Sequence, residues 1–150
     1  MQNGIKEMSA KEYLSQVRRG EADITRLNCD KQNLYEILYS LGGTKEGERV
    51  QTSKNADRFG SIFVKIEEKD YLIEKKLKEL IDFKIEVADR IGTLSEPKYA
   101  ELLYKRYIQF KSFKQIAADM GYSYRYVIKI HGYALLEFEK KMQKRCTNNL

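Results

Sequence analysis

Apolar residues recur at alternating steps of three and four along the first two thirds of the chain. Tyr13, Val17, Ile24, Leu27, Leu34, Leu38 and Leu41 fall on one stripe, on which Gly20 and Lys31 are the exceptions. Such spacing returns side chains to one face of an α-helix. Ser9 followed by Glu12 is a capping-box pattern that opens this helix, and Gly42 and Gly43 end it. The polar stretch from Gly42 to about Asn55 reads as a loop. A second series then places Phe59, Ile66, Ile73, Leu80, Val87 and Leu94 at sevens, with Phe63, Leu77 and Ile91 on the neighbouring row and Asp70 and Lys84 interrupting that row. Two heptad-patterned helices joined by one loop predict an antiparallel, coiled-coil-like hairpin, about 50 Å long for roughly 33 residues per helix. Its polar seam residues either fix register or face solvent where the seam drifts, and the pattern leaves both open.

Gly92 closes the second helix, and Ser95-Glu96-Pro97 offers a cap and a first-turn proline for the next. That helix carries Leu102, Leu103, Tyr107 and Ile108 on one face, with a break expected at Gln109 to Lys111. Ser112 and Gln115 form another capping box. The sequence from Phe113, FKQIAADMGYSYRYVIKIHGYALLEF, then has the spacing of a helix-turn-helix. Ile116 and Met120 lie one turn apart, and Ala117 is small where two helices approach. Gly121 suits a turn that needs positive φ. Tyr122 covers the corner, Ser123 is an N-cap, and Val127, Ile130, Ala134, Leu135 and Phe138 give the second helix one apolar face. The fold class expected is therefore all-α: a long helical hairpin over residues 1–94, followed over 95–150 by a three-helix unit containing the helix-turn-helix.

Charge sharpens this picture. The net +6 of the 150 residues is unevenly spread: Lys98 to Leu150 holds 11 Lys and Arg against 4 Asp and Glu, while Met1 to Pro97 holds 17 against 18. Basic residues gathered in one third are the expected footprint of a polyanion partner, because they displace counterions from a phosphate backbone. The outer face at the start of the second motif helix presents Tyr124, Arg125, Tyr126, Ile128 and Lys129, the end that enters the major groove in such motifs. Arg125 has the planar fork for guanine O6 and N7, and Lys129 one turn on reaches a base or a phosphate. Lys105, Arg106, Lys111, Ser112, Lys114 and His131 are the candidates for contacts to the DNA backbone. His131 lies at the edge of the buried face, as either a packing or a phosphate-contacting residue.

At these residues the chain resembles region four of sigma factors, which reads the upstream promoter element. The likeness runs from Leu102-Leu103-Tyr104-Lys105-Arg106-Tyr107 through Ile116-Ala117, Met120-Gly121-Tyr122-Ser123 and Val127 to Ala134-Leu135. With its helical N-terminal part and the Arg49-Val50-Gln51-Thr52-Ser53 loop, the whole chain looks like a prophage-encoded family grouped with phage late-gene transcriptional regulators of the ArpU and RinA type. The resemblance implies a transcription-associated function with double-stranded DNA and RNA polymerase as partners. No second region with a promoter-melting aromatic cluster accompanies it, so independent sigma activity is not implied.

Other classes are less well supplied with residues. A phage small terminase subunit also joins a helix-turn-helix to coiled-coil oligomerisation, and oligomeric state separates that alternative from a regulator. A protein-interaction module would need an apolar recognition face, against which Arg125 and Lys129 argue. No enzyme is expected: there is no P-loop, dinucleotide fingerprint or HExxH, and His131 is the only histidine. Cys29 and Cys146 have no metal spacing, so no metal or cofactor is expected and both thiols should be free in the cytoplasm. No signal peptide or membrane span is expected from the polar N-terminus and the lack of a long apolar run. The hairpin is the expected surface for a homodimer.

Overall fold

The computed structural model describes residues 8–42 and 53–147, with side chains described to residue 144 except those of residues 53 and 55. Among them are five α-helices, one π-helical turn and no strand. Helix α1 spans Ala10–Gly42 and α2 Ser53–Gly92; α3, Pro97–Leu103, runs directly into the π-turn Tyr104–Ile108; α4 is Phe113–Met120 and α5 Tyr124–Thr147. Residues 43–52, with most of the expected loop and Arg49 to Thr52, lie outside the described residues.

The capping chemistry read from the sequence sets the helix starts. The Ser9 backbone N–H donates to Glu12 Oε2 at 3.0 Å and the Glu12 N–H donates to Ser9 Oγ at 3.3 Å, closing a reciprocal box at the head of α1. At α3 the cap offered by Ser95-Glu96-Pro97 falls on the middle residue. Glu96 is the N-cap, without a side-chain bond, and Pro97 opens the helix. Ser95 donates its backbone N–H to Glu137 Oε1 on α5 at 2.6 Å.

The chain packs as two compact units, and their division does not follow the expected boundary at residue 94. One unit is residues 20–80 and the other joins residues 1–19 to residues 81–150. In the first, α1 and α2 run antiparallel. Lys31 Nζ meets Asp70 at 2.7 Å and Lys69 Nζ meets Asp30 at 3.2 Å. Two of the three polar residues that interrupt the seams, Lys31 and Asp70, thus face each other. Gly20, the other exception, lies where a Cβ would come within 2.8 Å of Leu80 Cδ1. Its missing side chain makes room for a buried leucine. Leu27, Ile66 and Leu80 are buried, but Phe63 and Leu77 of the neighbouring row stay 52% and 45% exposed. Two helices bury one shared stripe, and a row beside it needs a third helix to be covered.

In the other unit, Leu14, Val17, Val87, Ile91, Leu102, Leu103, Ile116, Val127, Ala134 and Phe138 form the core, each 2% exposed or less. Full burial of a Leu, Ile, Val or Phe side chain contributes roughly 1.5–3 kcal/mol. Tyr13 ties α1, α2 and α5 together: its ring packs edge-on to Phe83 at 5.3 Å and against Phe138 at 6.0 Å, and its hydroxyl bonds Glu86 at 2.9 Å. The C-terminal helices therefore share their core with the ends of the two hairpin helices, and a fragment starting near residue 95 would lose Leu14, Val17, Val87 and Ile91 from it.

Candidate nucleic-acid interface

The helix-turn-helix is built as its sequence requires. Ser112 caps α4: its Oγ accepts from the Gln115 N–H at 3.2 Å, while the Gln115 side chain accepts the Ser112 N–H at 2.9 Å. Gly121 ends α4 at φ 69°, ψ 28°, a left-handed conformation that costs a residue with a Cβ and costs glycine almost nothing. Ser123 then caps α5, its Oγ accepting from the Tyr126 N–H at 3.2 Å. Ile116 and Ala117 on α4 and Val127, Ile130, Ala134 and Phe138 on α5 are buried together, while Leu135 is half-buried. Burial of that face fixes which side of α5 looks outward.

Tyr124, Arg125, Tyr126, Ile128 and Lys129 are all exposed. Arg125 and Lys129 are one turn apart, and among the described residues neither has an ion pair or hydrogen bond at its side chain; the same holds for Lys114 in the first turn of α4. Tyr126 is partly committed, its ring meeting Tyr122 edge-on at 5.0 Å. The nearby Tyr126 hydroxyl is also the largest influence raising the Lys98 pKa.

The residues expected to hold the DNA backbone are less alike. Lys114 stands free, whereas Lys105 and Lys111 converge on one carboxylate, Asp119, at 3.5 and 2.5 Å, and Lys105 also pairs with Glu101 at 3.5 Å. Arg106 turns inward, its guanidinium 4.3 Å over the Phe113 ring and its Nη1 donating to the Lys111 carbonyl at 3.0 Å. The Ser112 hydroxyl is engaged in the α4 cap. His131 takes the packing alternative. It stacks on Tyr107 at 5.9 Å, meets Phe113 edge-on at 4.9 Å, and shares a 3.0 Å hydrogen bond between its Nε2 and the Tyr107 hydroxyl. Burial, then the charges of Arg106 and Lys11, push its pKa down to about 4. The ring is neutral at pH 7 and brings no charge to a phosphate.

Three features at this site have no counterpart in the sequence pattern. The π-turn is one, with the Gln109 N–H bonding five residues back to the Tyr104 carbonyl at 3.1 Å. Phe110 is another, at φ 56° with the Arg18 guanidinium and the Lys84 ammonium 5.8 and 5.7 Å from its ring centre. Asp119 is the third. Among the described residues, no group of three or more His, Cys, Asp or Glu side chains is placed to hold a metal ion, and no helix is long and apolar enough to cross a membrane. Comparison with protein-family models, curated proteins and solved structures finds no match to the chain.

Proposed function

We propose that this chain is a sequence-specific, duplex-DNA-binding transcriptional regulator of phage or prophage type that reads the major groove with the first two turns of α5. The observation that carries the reading is the pair Arg125 and Lys129 on the outer face of a capped helix, beside Lys114 on the preceding helix, all three without an ion pair or side-chain hydrogen bond among the described residues. An unpaired guanidinium at a helix N-terminal end has the reach and the planar fork for a guanine edge. An unpaired ammonium on α4 supplies a phosphate contact that positions without reading. The transcriptional part, with RNA polymerase as a further partner, is supported by the resemblance of Leu102 to Tyr107 and of Met120 to Ser123 to sigma region four.

Arg125 and Lys114 have different tasks under this reading, so their variants fail differently. In the full-length chain, Arg125→Ala costs about 1–3 kcal/mol at a selected site and relaxes preference at one base pair, with scrambled duplex bound nearly as before. Lys114→Ala weakens all sequences alike and lowers the salt slope by about one. Binding isotherms at several salt concentrations, on selected and scrambled duplex, separate the two patterns. Equal, sequence-independent losses for both variants would remove Arg125 from base readout, and absence of duplex binding at low salt would overturn the proposal.

A further inference from the structure

Asp119 stands one residue before the end of α4, and two of the lysines nearest the proposed interface point at it rather than away. Lys111 comes from the segment between the π-turn and α4, and Lys105 from the π-turn itself. The Lys111 hydrogen bond is the largest influence on the Asp119 carboxyl and holds its pKa below the ordinary value, so the group is ionised at neutral pH. With Glu101 on Lys105, two ammonium groups and two carboxylates form a cluster without net charge. An ammonium already held by a carboxylate gains a phosphate only by giving that carboxylate up, so a paired lysine adds little to the electrostatic term and an unpaired one adds in full.

We infer that Asp119 is an internal counterion that competes with DNA phosphate for Lys105 and Lys111 and so holds down the protein's sequence-independent affinity for nucleic acid. The inference rests on the DNA-binding reading and adds to it a carboxylate that opposes binding. Neutralising Asp119 gives the cluster one positive charge, which steepens the salt dependence by about 0.9 and tightens binding to any duplex by roughly three- to tenfold at low salt. Lys111 should matter little while Asp119 holds it, and should matter once it is released. Retaining the charge on a longer arm should preserve the parent behaviour.

The test compares the full-length parent with Asp119→Asn, Asp119→Glu, Lys111→Ala and the Lys111→Ala/Asp119→Asn double variant. Each is titrated with a scrambled duplex over a range of salt concentrations and eluted from heparin, a polyanion without bases. Asp119→Asn is expected to bind scrambled duplex more tightly, with a steeper slope and elution at higher salt, while Asp119→Glu behaves as the parent does. Lys111→Ala is expected to have little effect in the parent and a roughly threefold effect in the Asp119→Asn background, a coupling that loss of a merely structural contact would not produce. Unchanged or weaker binding by Asp119→Asn, or the same Lys111→Ala effect in both backgrounds, overturns the inference. Circular dichroism melts check that each variant is folded; should Asp119→Asn unfold, Asp119→Ser takes its place in the same cycle. Failure of the parent to bind duplex at all would sink the DNA-binding reading separately. A heparin shift for Asp119→Asn would still report the counterion role in that case, and no shift would remove both.

Discussion

Replacing His131 with glutamine should flatten the acid side of the protein's stability curve. The imidazole lies among Tyr107, Phe113 and the nearby Arg106, and burial followed by the Arg106 and Lys11 charges depresses its pKa from 6.5 to about 4. Below pH 6.5 the unfolded chain takes up a proton that the folded chain refuses, so stability falls as pH drops through 6.5 and levels off only near 4, where the folded ring protonates as well. At about 1.4 kcal/mol per pKa unit, the gap corresponds to roughly 2 kcal/mol at pH 5. The ring is only partly buried, and solvent screening reduces the expected loss to about 1 kcal/mol. Glu137, lowered mainly by the Ser95 backbone N–H, and Asp119, lowered mainly by Lys111, stay ionised between pH 5 and 7 and leave that window to the histidine. Urea unfolding followed by circular dichroism at pH 7 and pH 5 should show the loss in the parent and not in His131→Gln. An NMR titration placing the imidazole pKa at 6.5 or above, or an equal loss in both proteins, would refute the reasoning.

Within residues 20–80, Gly20→Leu should destabilise by about 1–3 kcal/mol, since even a single Cβ there comes within 2.8 Å of Leu80 Cδ1, and a compensating Leu80→Ala should recover part of the loss in chemical denaturation. Lys31→Asp and Asp70→Lys should each lower the melting temperature by setting like charges opposite one another, and the double swap should restore it. A swap that is no better than either single variant would show that the 2.7 Å pair has no part in holding the register.

The elements that depend on local chemistry are legible in the sequence. Ser9 with Glu12, Ser112 with Gln115, Gly121 at the turn and Ser123 before α5 all involve residues a few positions apart, so spacing alone states the geometry. Pairings across the hairpin are not. Lys31 and Asp70 are visible as interruptions of two separate stripes, but their meeting depends on the antiparallel register, which no local pattern reports. The Ser95 contact is hidden for a related reason, because the carboxylate that accepts its backbone N–H, Glu137, lies 42 residues away. Asp119 gives no signal in the sequence because its lysines reach it from the π-turn and from the segment between that turn and α4. A π-turn adds a residue to the turn and rotates the chain beyond it, so a regular helical spacing does not state which residues meet across it.

Charge counting and charge placement lead to different pictures of the same surface. The excess of 11 cations over 4 anions after Pro97 suggests a broad basic face. In the structure Lys105 and Lys111 are held by Asp119, Lys141 pairs with Glu137 at 3.8 Å, and Arg106 is turned into the aromatic cluster of Phe113 and His131. Among the described residues, the cations left unpaired beside the helix-turn-helix are a narrower set: Arg125 and Lys129 on one turn of α5 and Lys114 on α4. A broad basic face would bind any polyanion and discriminate poorly, since phosphate contacts carry no sequence information. Under the proposed DNA-binding reading, pairing some lysines internally while leaving Arg125 and Lys129 unpaired shifts the balance toward contacts that depend on the base edge. On that reading, the acidic residues of the C-terminal helices belong to the proposed interface as much as the basic ones do.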